Sequence, residues 1–139
     1  MKTKQEVAYA LADYAIHVIA VDALMSTRFM RHADKLRNLS KIVDHETAYA
    51  AYGAINVIQA NINAYAINAA TAATFQAARV AYAASAFNIY NAANATRSVA
   101  NHAISAIYNT ANTSYNINAT SIAQTHIKYM RELIRIASI

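Results

Sequence analysis

Apolar and polar positions follow a helical beat along nearly the whole chain. Val7, Leu11, Tyr14, Val18 and Val21 or Asp22 recur every three or four residues and predict one face of a first helix over residues 4–25. Ser26 offers an N-cap for a shorter helix over 27–38, with Phe29, Met30, Ala33 and Leu36 as its apolar contacts. Asn38, Leu39 and Ser40 read as a connection, and Asp44 as the cap of the next helix.

From Glu46 to Ala137 the helical pattern hardly pauses. A single straight helix of that length would run roughly 130 Å at 1.5 Å per residue, so the segment must fold back. Asn, Ser and Thr compete for backbone hydrogen bonds, which predicts breaks at Asn68–Thr71, Asn94–Ser98 and Asn109–Ser114. The resulting helices span 46–68, 71–94 and 98–136, the last interrupted around 112. A polar stripe cuts across the third break. Asn88, Asn91, Asn94, Ser98, Asn101, Ser105, Asn109, Asn112, Asn116, Thr120 and Gln124 cover 36 residues in ten steps, a mean of 3.6. Phe87, Tyr90, Ala93, Ala100, Ala103, Ile104, Ile107 and Ala111 oppose it, and the unbroken period argues for helix through 109–114.

Composition narrows the fold class. Proline is absent and Gly53 is the sole glycine, so a β fold with many tight turns is hard to build. Alanine, the best helix former, recurs throughout. The expectation is an all-α, alanine-rich bundle of about four to five antiparallel helices in a single domain over 1–139. Runs such as Ala69-Ala70, Ala72-Ala73, Ala77-Ala78 and Ala83-Ala84 let helix axes approach closely. Tyr49, Tyr52, Tyr65, Tyr82, Tyr90, Tyr108 and Tyr115 are expected to fill the gaps that alanines leave.

Charge changes the picture further. The net charge is +5, yet no Asp or Glu occurs from Thr47 to Arg131, where Arg79, Arg97, Lys128 and Arg131 are the only full charges. Exposed helices normally carry charges for solubility, so a stretch this bland suggests faces that meet other protein. The amides Asn56, Gln59, Asn61, Asn63 and Asn68 within the charge-free window Thr47–Ala78 argue against a membrane span. The apolar N-terminal stretch is interrupted by Asp13, His17 and Asp22, which makes a poor signal peptide and suggests a cytoplasmic or virion protein.

Little in the chain carries chemistry. Cysteine is absent, which excludes disulfides and thiolate metal sites. No Ser/His/Asp grouping or glycine-rich phosphate loop is present, so no catalytic residue and no cofactor is assigned. Asp44, His45 and Glu46, or His32 with Asp34, lack metal-site spacing, and no metal is expected. Asp13 and His17 are four apart and read as a structural hydrogen bond. The candidate anion-binding residues are Arg28, Arg31 and Lys35 in the basic connector, with Arg79 and Arg97 standing alone in neutral helices.

The stretches Ala48-Tyr-Ala-Ala-Tyr-Gly-Ala, Ala69-Ala-Thr-Ala-Ala-Thr, Ala77-Ala-Arg-Val-Ala-Tyr-Ala-Ala and the closing His126-Ile-Lys-Tyr-Met-Arg-Glu-Leu-Ile resemble the alanine-repeat proteins of phages and bacteria labelled immunity proteins. The resemblance covers about residues 8–135 and departs from the pattern in lacking Trp and Cys and in placing Asn where Asp or Arg is usual. It implies a helical protein that acts by binding, and it carries over no functional residue. Two functions are expected. One is a non-enzymatic interaction protein that forms homo-oligomers or meets a protein partner. The other is a binder of an anionic ligand, either a capsid or filament subunit coating nucleic acid or an oligomer holding a nucleotide.

Overall fold

A computed structural model describes residues 2–27, 29–63, 69–110 and 112–137, with the side chains of 62 and 63 left aside. Among the described residues every regular element is helical, and there are seven helices rather than four or five. They are α1 (Lys4–Ser26), α2 (Met30–Arg37), α3 (His45–Asn63), α4 (Ala69–Ser85), α5 (Ile89–Tyr108), α6 (Thr113–Ile117) and α7 (Ala119–Ile136).

Helix α1 is the core rod. Thr3 and Glu6 form a reciprocal capping box at its start, with Thr3 Oγ1 accepting from the Glu6 amide at 3.1 Å. Val7, Leu11, Ile16, Ile19 and Leu24 are fully buried along it. By length and hydropathy α1 could cross a membrane, but 72% of its most apolar window lies buried inside the protein, as in a core helix.

One turn of α1, Ala15–Ile19, is a π-helix. Its extra residue moves the apolar face. Val18, expected inside, is exposed, and Ile16, Ile19 and Ala20 take the core positions. The wide turn also has a constructive effect. Residues eight apart on a regular α-helix diverge by about 80° at 3.6 residues per turn. With one residue absorbed by the π turn, Tyr14 and Asp22 align to within about 20°, as residues seven apart do. Both therefore face the same neighbour.

The short helix α2 starts later than expected. Arg28 lies outside the described residues, and Ser26 does not cap α2: its hydroxyl donates to the Ala23 carbonyl at 2.8 Å inside α1. Ala33 and Leu36 are buried, whereas Met30 is exposed. The loop after α2 is stapled to α1. His17 Nε2 donates to the Leu39 carbonyl at 2.8 Å, and Asp13 Oδ1 accepts from the Ile42 amide at 2.8 Å and lies 3.0 Å from His17 Nδ1. Asp44 then caps α3, accepting from the Thr47 amide at 2.8 Å.

Helices α4 and α5 make the most extensive contact of any pair, and both carry buried alanines, Ala73, Ala77, Ala81 and Ala84 on α4 and Ala92, Ala93, Ala100 and Ala103 on α5, which allow close approach. Their buried hydroxyls are satisfied within each helix, Thr74 donating to Ala70 at 2.9 Å and Thr96 to Ala92 at 2.7 Å. Of the expected break at Asn68–Thr71, Asn68 lies outside the described residues and Thr71 is already inside α4.

No break occurs at Asn94–Ser98, because α5 runs through it. The chain turns earlier, at Ala86–Asn88. There the Asn88 amide donates to the Ala83 carbonyl at 2.9 Å and the Phe87 amide to the Ala84 carbonyl at 3.2 Å, the paired bonds of a Schellman stop. Phe87 takes the left-handed position, φ 59°, that glycine usually fills. Asn88 then caps α5 through the Asn91 amide at 3.0 Å. The break at 109–112 is real, although the polar stripe argued against it. Thr110 ends it by donating to the carbonyl of Ser26, which ties the loop to the end of α1.

Gly53 sits in the middle of α3, is exposed, and a Cβ there would meet nothing within 4 Å. Gly53→Ala is therefore expected to raise stability by about 0.5–1 kcal/mol, read from the urea unfolding midpoint at constant slope.

Candidate functional site

Side chains that the core does not use gather on one face, built by α3, α4 and α5. Along α3, His45, Tyr49 and Tyr52 follow a helical face at spacings of four and three. His45 is held in place because its Nδ1–H donates to the Ser85 carbonyl at 2.7 Å, and Gln5 donates to the adjacent Ala84 carbonyl at 2.8 Å. The first bond satisfies a last-turn carbonyl of α4 that the helix leaves open, and the second adds a donor to a carbonyl that already accepts from the Phe87 amide. The anchored imidazole stacks on Phe87 at 6.0 Å on one side and on Tyr49 at 6.2 Å on the other. Tyr49 continues to Tyr52 at 6.1 Å, and Tyr52 to Tyr82 of α4 at 5.1 Å. The result is an unbroken run of five rings in which Phe87, at 67% exposure, is the most open.

Beside the rings lies an open groove of about 750 Å³. Its walls carry the amides Asn56, Gln59, Gln76, Asn88, Asn91 and Asn94, the rings Tyr52, Phe75 and Tyr82, and a single charge, Arg79. The Arg79 guanidinium lies 6.0 Å from the Phe75 ring centre. Arg97 reaches the groove's edge by donating to Asn94 Oδ1 at 2.8 Å. Lys4 lies 6.0 Å above Tyr90, which is also exposed. The tyrosines were expected to fill interior gaps. Instead Tyr49, Tyr82, Tyr90 and Tyr108 are exposed and Tyr52 and Tyr115 half-buried, while Tyr65 lies outside the described residues; the buried tyrosines among the described residues are Tyr9 and Tyr14.

The five expected anion-binding residues do not converge. Arg79 and Arg97 belong to the α4–α5 groove. Arg31 and Lys35 are exposed on α2, which packs on α1 and α3, and Arg28 lies outside the described residues. Asp22, a carboxylate of the kind a lone arginine could reach from another helix, is engaged with His126. Among the described residues the ion pairs of arginines are Arg37–Asp34 and Arg135–Glu132, so neither Arg79 nor Arg97 meets a carboxylate. Also among the described residues, no three of His, Asp and Glu gather as a metal site would require.

A second constellation lies between α1 and α7. His126 of α7 is 1% exposed and sits between the two residues that the π turn aligns. Its Nε2 is 2.8 Å from Asp22 Oδ2, and its Nδ1 is 2.9 Å from the Tyr14 hydroxyl. A carboxylate only accepts, so Nε2 carries the proton and Nδ1 receives the Tyr14 O–H. Sequence reading missed this set, because its members lie more than a hundred residues apart; the π turn that aligns two of them leaves no mark in the pattern. The chain Asp–His–Tyr ties α7 to α1 through two hydrogen bonds. Burial, and then the Asp22 charge, push the Tyr14 phenol up to about 12.

That shift has a consequence at high pH. Unfolded, the phenol ionises near 10; folded, it holds its proton up to about 12. The unfolded state loses the proton first, so stability falls as pH rises past about 10. Tyr14→Phe is expected to flatten that part of the fall, measured by urea unfolding between pH 9 and pH 11 (roughly the onset of phenol ionisation).

The chain matches no family model, no curated protein and no solved structure.

Proposed function

We propose that the chain is a non-enzymatic interaction protein that self-associates through the α3–α4–α5 face. The observation that carries this reading is the composition of that face: five rings in mutual contact beside an amide-lined groove with one charge. Interface cores are depleted in Lys, Asp and Glu and enriched in aromatic residues and Arg. Tyr with Asn and Ser is also the chemistry of binding loops, where rings supply contact area at low entropic cost. Here the rings already brace one another, which lowers the cost of ordering them in a complex.

A second copy fits this face better than a charged partner does. In an isologous contact the same patch meets itself, and a patch with Arg79 as the one charge in its groove incurs little self-repulsion. The resemblance to phage and bacterial immunity proteins points the same way, to a chain that works by covering a surface. Light scattering on gel-filtered protein at low and high salt tests the reading. A mass above that of one chain that persists at high salt is expected, because neutral contacts are little screened. A single-chain mass at every concentration would overturn it.

One observation favours a second reading: Arg79, near the Phe75 ring in the groove, and Arg97 at the groove's edge have no acid partner among the described residues. Arginine with aromatic rings in an open groove is how single-stranded nucleic acid is held. Retention on single-stranded DNA or RNA resin, lost steeply with salt, would support that reading over the first.

A further inference from the structure

A separate cavity of about 550 Å³ opens between the first half of α1, the loop 41–43 and Tyr129 of α7, away from the groove. Tyr14 and Tyr129 meet there with ring centres 4.2 Å apart and planes at 82°, so the two rings make a corner. The Tyr14 hydroxyl is committed to His126, and what it offers the cavity is its ring. Asp13 lines the same space. Its Oδ1 is used by the Ile42 amide and His17, while Oδ2 takes no hydrogen bond among the described residues. Glu6 adds a second carboxylate, and Lys2 and Lys41 balance the two negative charges.

We infer that this cavity binds a small zwitterion, with its ammonium group in the Tyr14–Tyr129 corner facing Asp13 and its anionic group on Lys41. The chemistry asks for both halves. A corner of two rings attracts a cation electrostatically through the ring faces, and methylated ammonium heads suit it because they shed water easily. Asp13 supplies the opposite charge at a fixed point, since one of its oxygens is pinned by the loop it helps to fold. A pure cation would be repelled by the two lysines and a pure anion by the two carboxylates. A ligand carrying both charges satisfies the whole rim.

Phosphocholine is the probe, followed by NMR shifts of the tyrosine ring signals in the full chain. Tetramethylammonium and inorganic phosphate serve as its separate halves. Saturable phosphocholine binding is expected, with tetramethylammonium weaker and phosphate weakest. Tyr129→Ala is expected to weaken phosphocholine by about tenfold, the worth of one desolvated cation–π contact, and Tyr129→Phe to leave it within about twofold. Tyr129 is half exposed, so its truncation leaves the core intact. As an independent check, Lys41→Gln on the exposed loop should weaken phosphocholine and spare tetramethylammonium. The inference is overturned if phosphocholine gives no saturable shift, if Tyr129→Ala binds it as the parent does, or if phosphate alone binds as tightly.

Discussion

Tyr82→Glu is expected to dissociate the assembly while leaving the fold standing. Tyr82 ends the ring run, touches Tyr52 at 5.1 Å and lines the groove, yet it is 52% exposed. Losing the ring removes an aromatic anchor of the kind that contributes about 2 kcal/mol or more at interface centres. The new carboxylate adds a desolvation penalty on both copies of a symmetric contact. Together these correspond to a dissociation constant weakened by at least about thirtyfold. Sedimentation velocity across a concentration series reads the change, and the thermal midpoint should hardly move. If the variant associates as the parent does, the interface lies elsewhere. If its midpoint collapses, Tyr82 supports the fold and not the contact.

The second large effect is on stability. His126→Ala empties a fully enclosed site and strands both the Asp22 carboxylate and the Tyr14 hydroxyl. A cavity plus an unpaired buried hydroxyl costs about 3 kcal/mol, which for a chain of this size lowers the midpoint by roughly 10 °C. Asp22→Asn separates hydrogen bonding from packing. Its amide can donate to Nε2 if the imidazole switches tautomer, and Nδ1–H can then donate to the Tyr14 oxygen. The Asn variant should therefore lose far less than His126→Ala. Equal losses would mean that the charge of Asp22, and not the shape of the chain of hydrogen bonds, holds α7.

The all-helical class was legible because it rests on what the chain lacks and repeats: no proline, one glycine and alanine throughout. The Asn stripe was also legible over α5, where Asn91, Asn94 and Asn101 are exposed and Ala93, Ala100 and Ala103 are buried. It misled at 109–112, since a polar run can stay in phase across a gap where exposed positions resume. The turn at Phe87 was invisible because a left-handed stop usually falls at glycine or asparagine, and phenylalanine gives no such signal. Val18 was misplaced because a π turn changes the period without changing residue types.

The functional face was half legible. The missing acids between Thr47 and Arg131 pointed to a bland surface. The spacing of His45, Tyr49 and Tyr52 held the signal for the ring run, but Phe87 and Tyr82 join it only through the fold of α4 onto α3. The lone arginines stand out in the sequence, but whether they share a site with Arg31 and Lys35 was not something local sequence could decide.

The most direct test is an isotope-filtered NOE experiment on a mixture of labelled and unlabelled chains. Contacts between copies should connect the ring protons of Tyr52, Phe75 and Tyr82 with the side-chain amides of Asn91 and Asn94. Intermolecular contacts confined to α2 or α7, or none at concentrations where the chain is fully observed, would contradict self-association through this face.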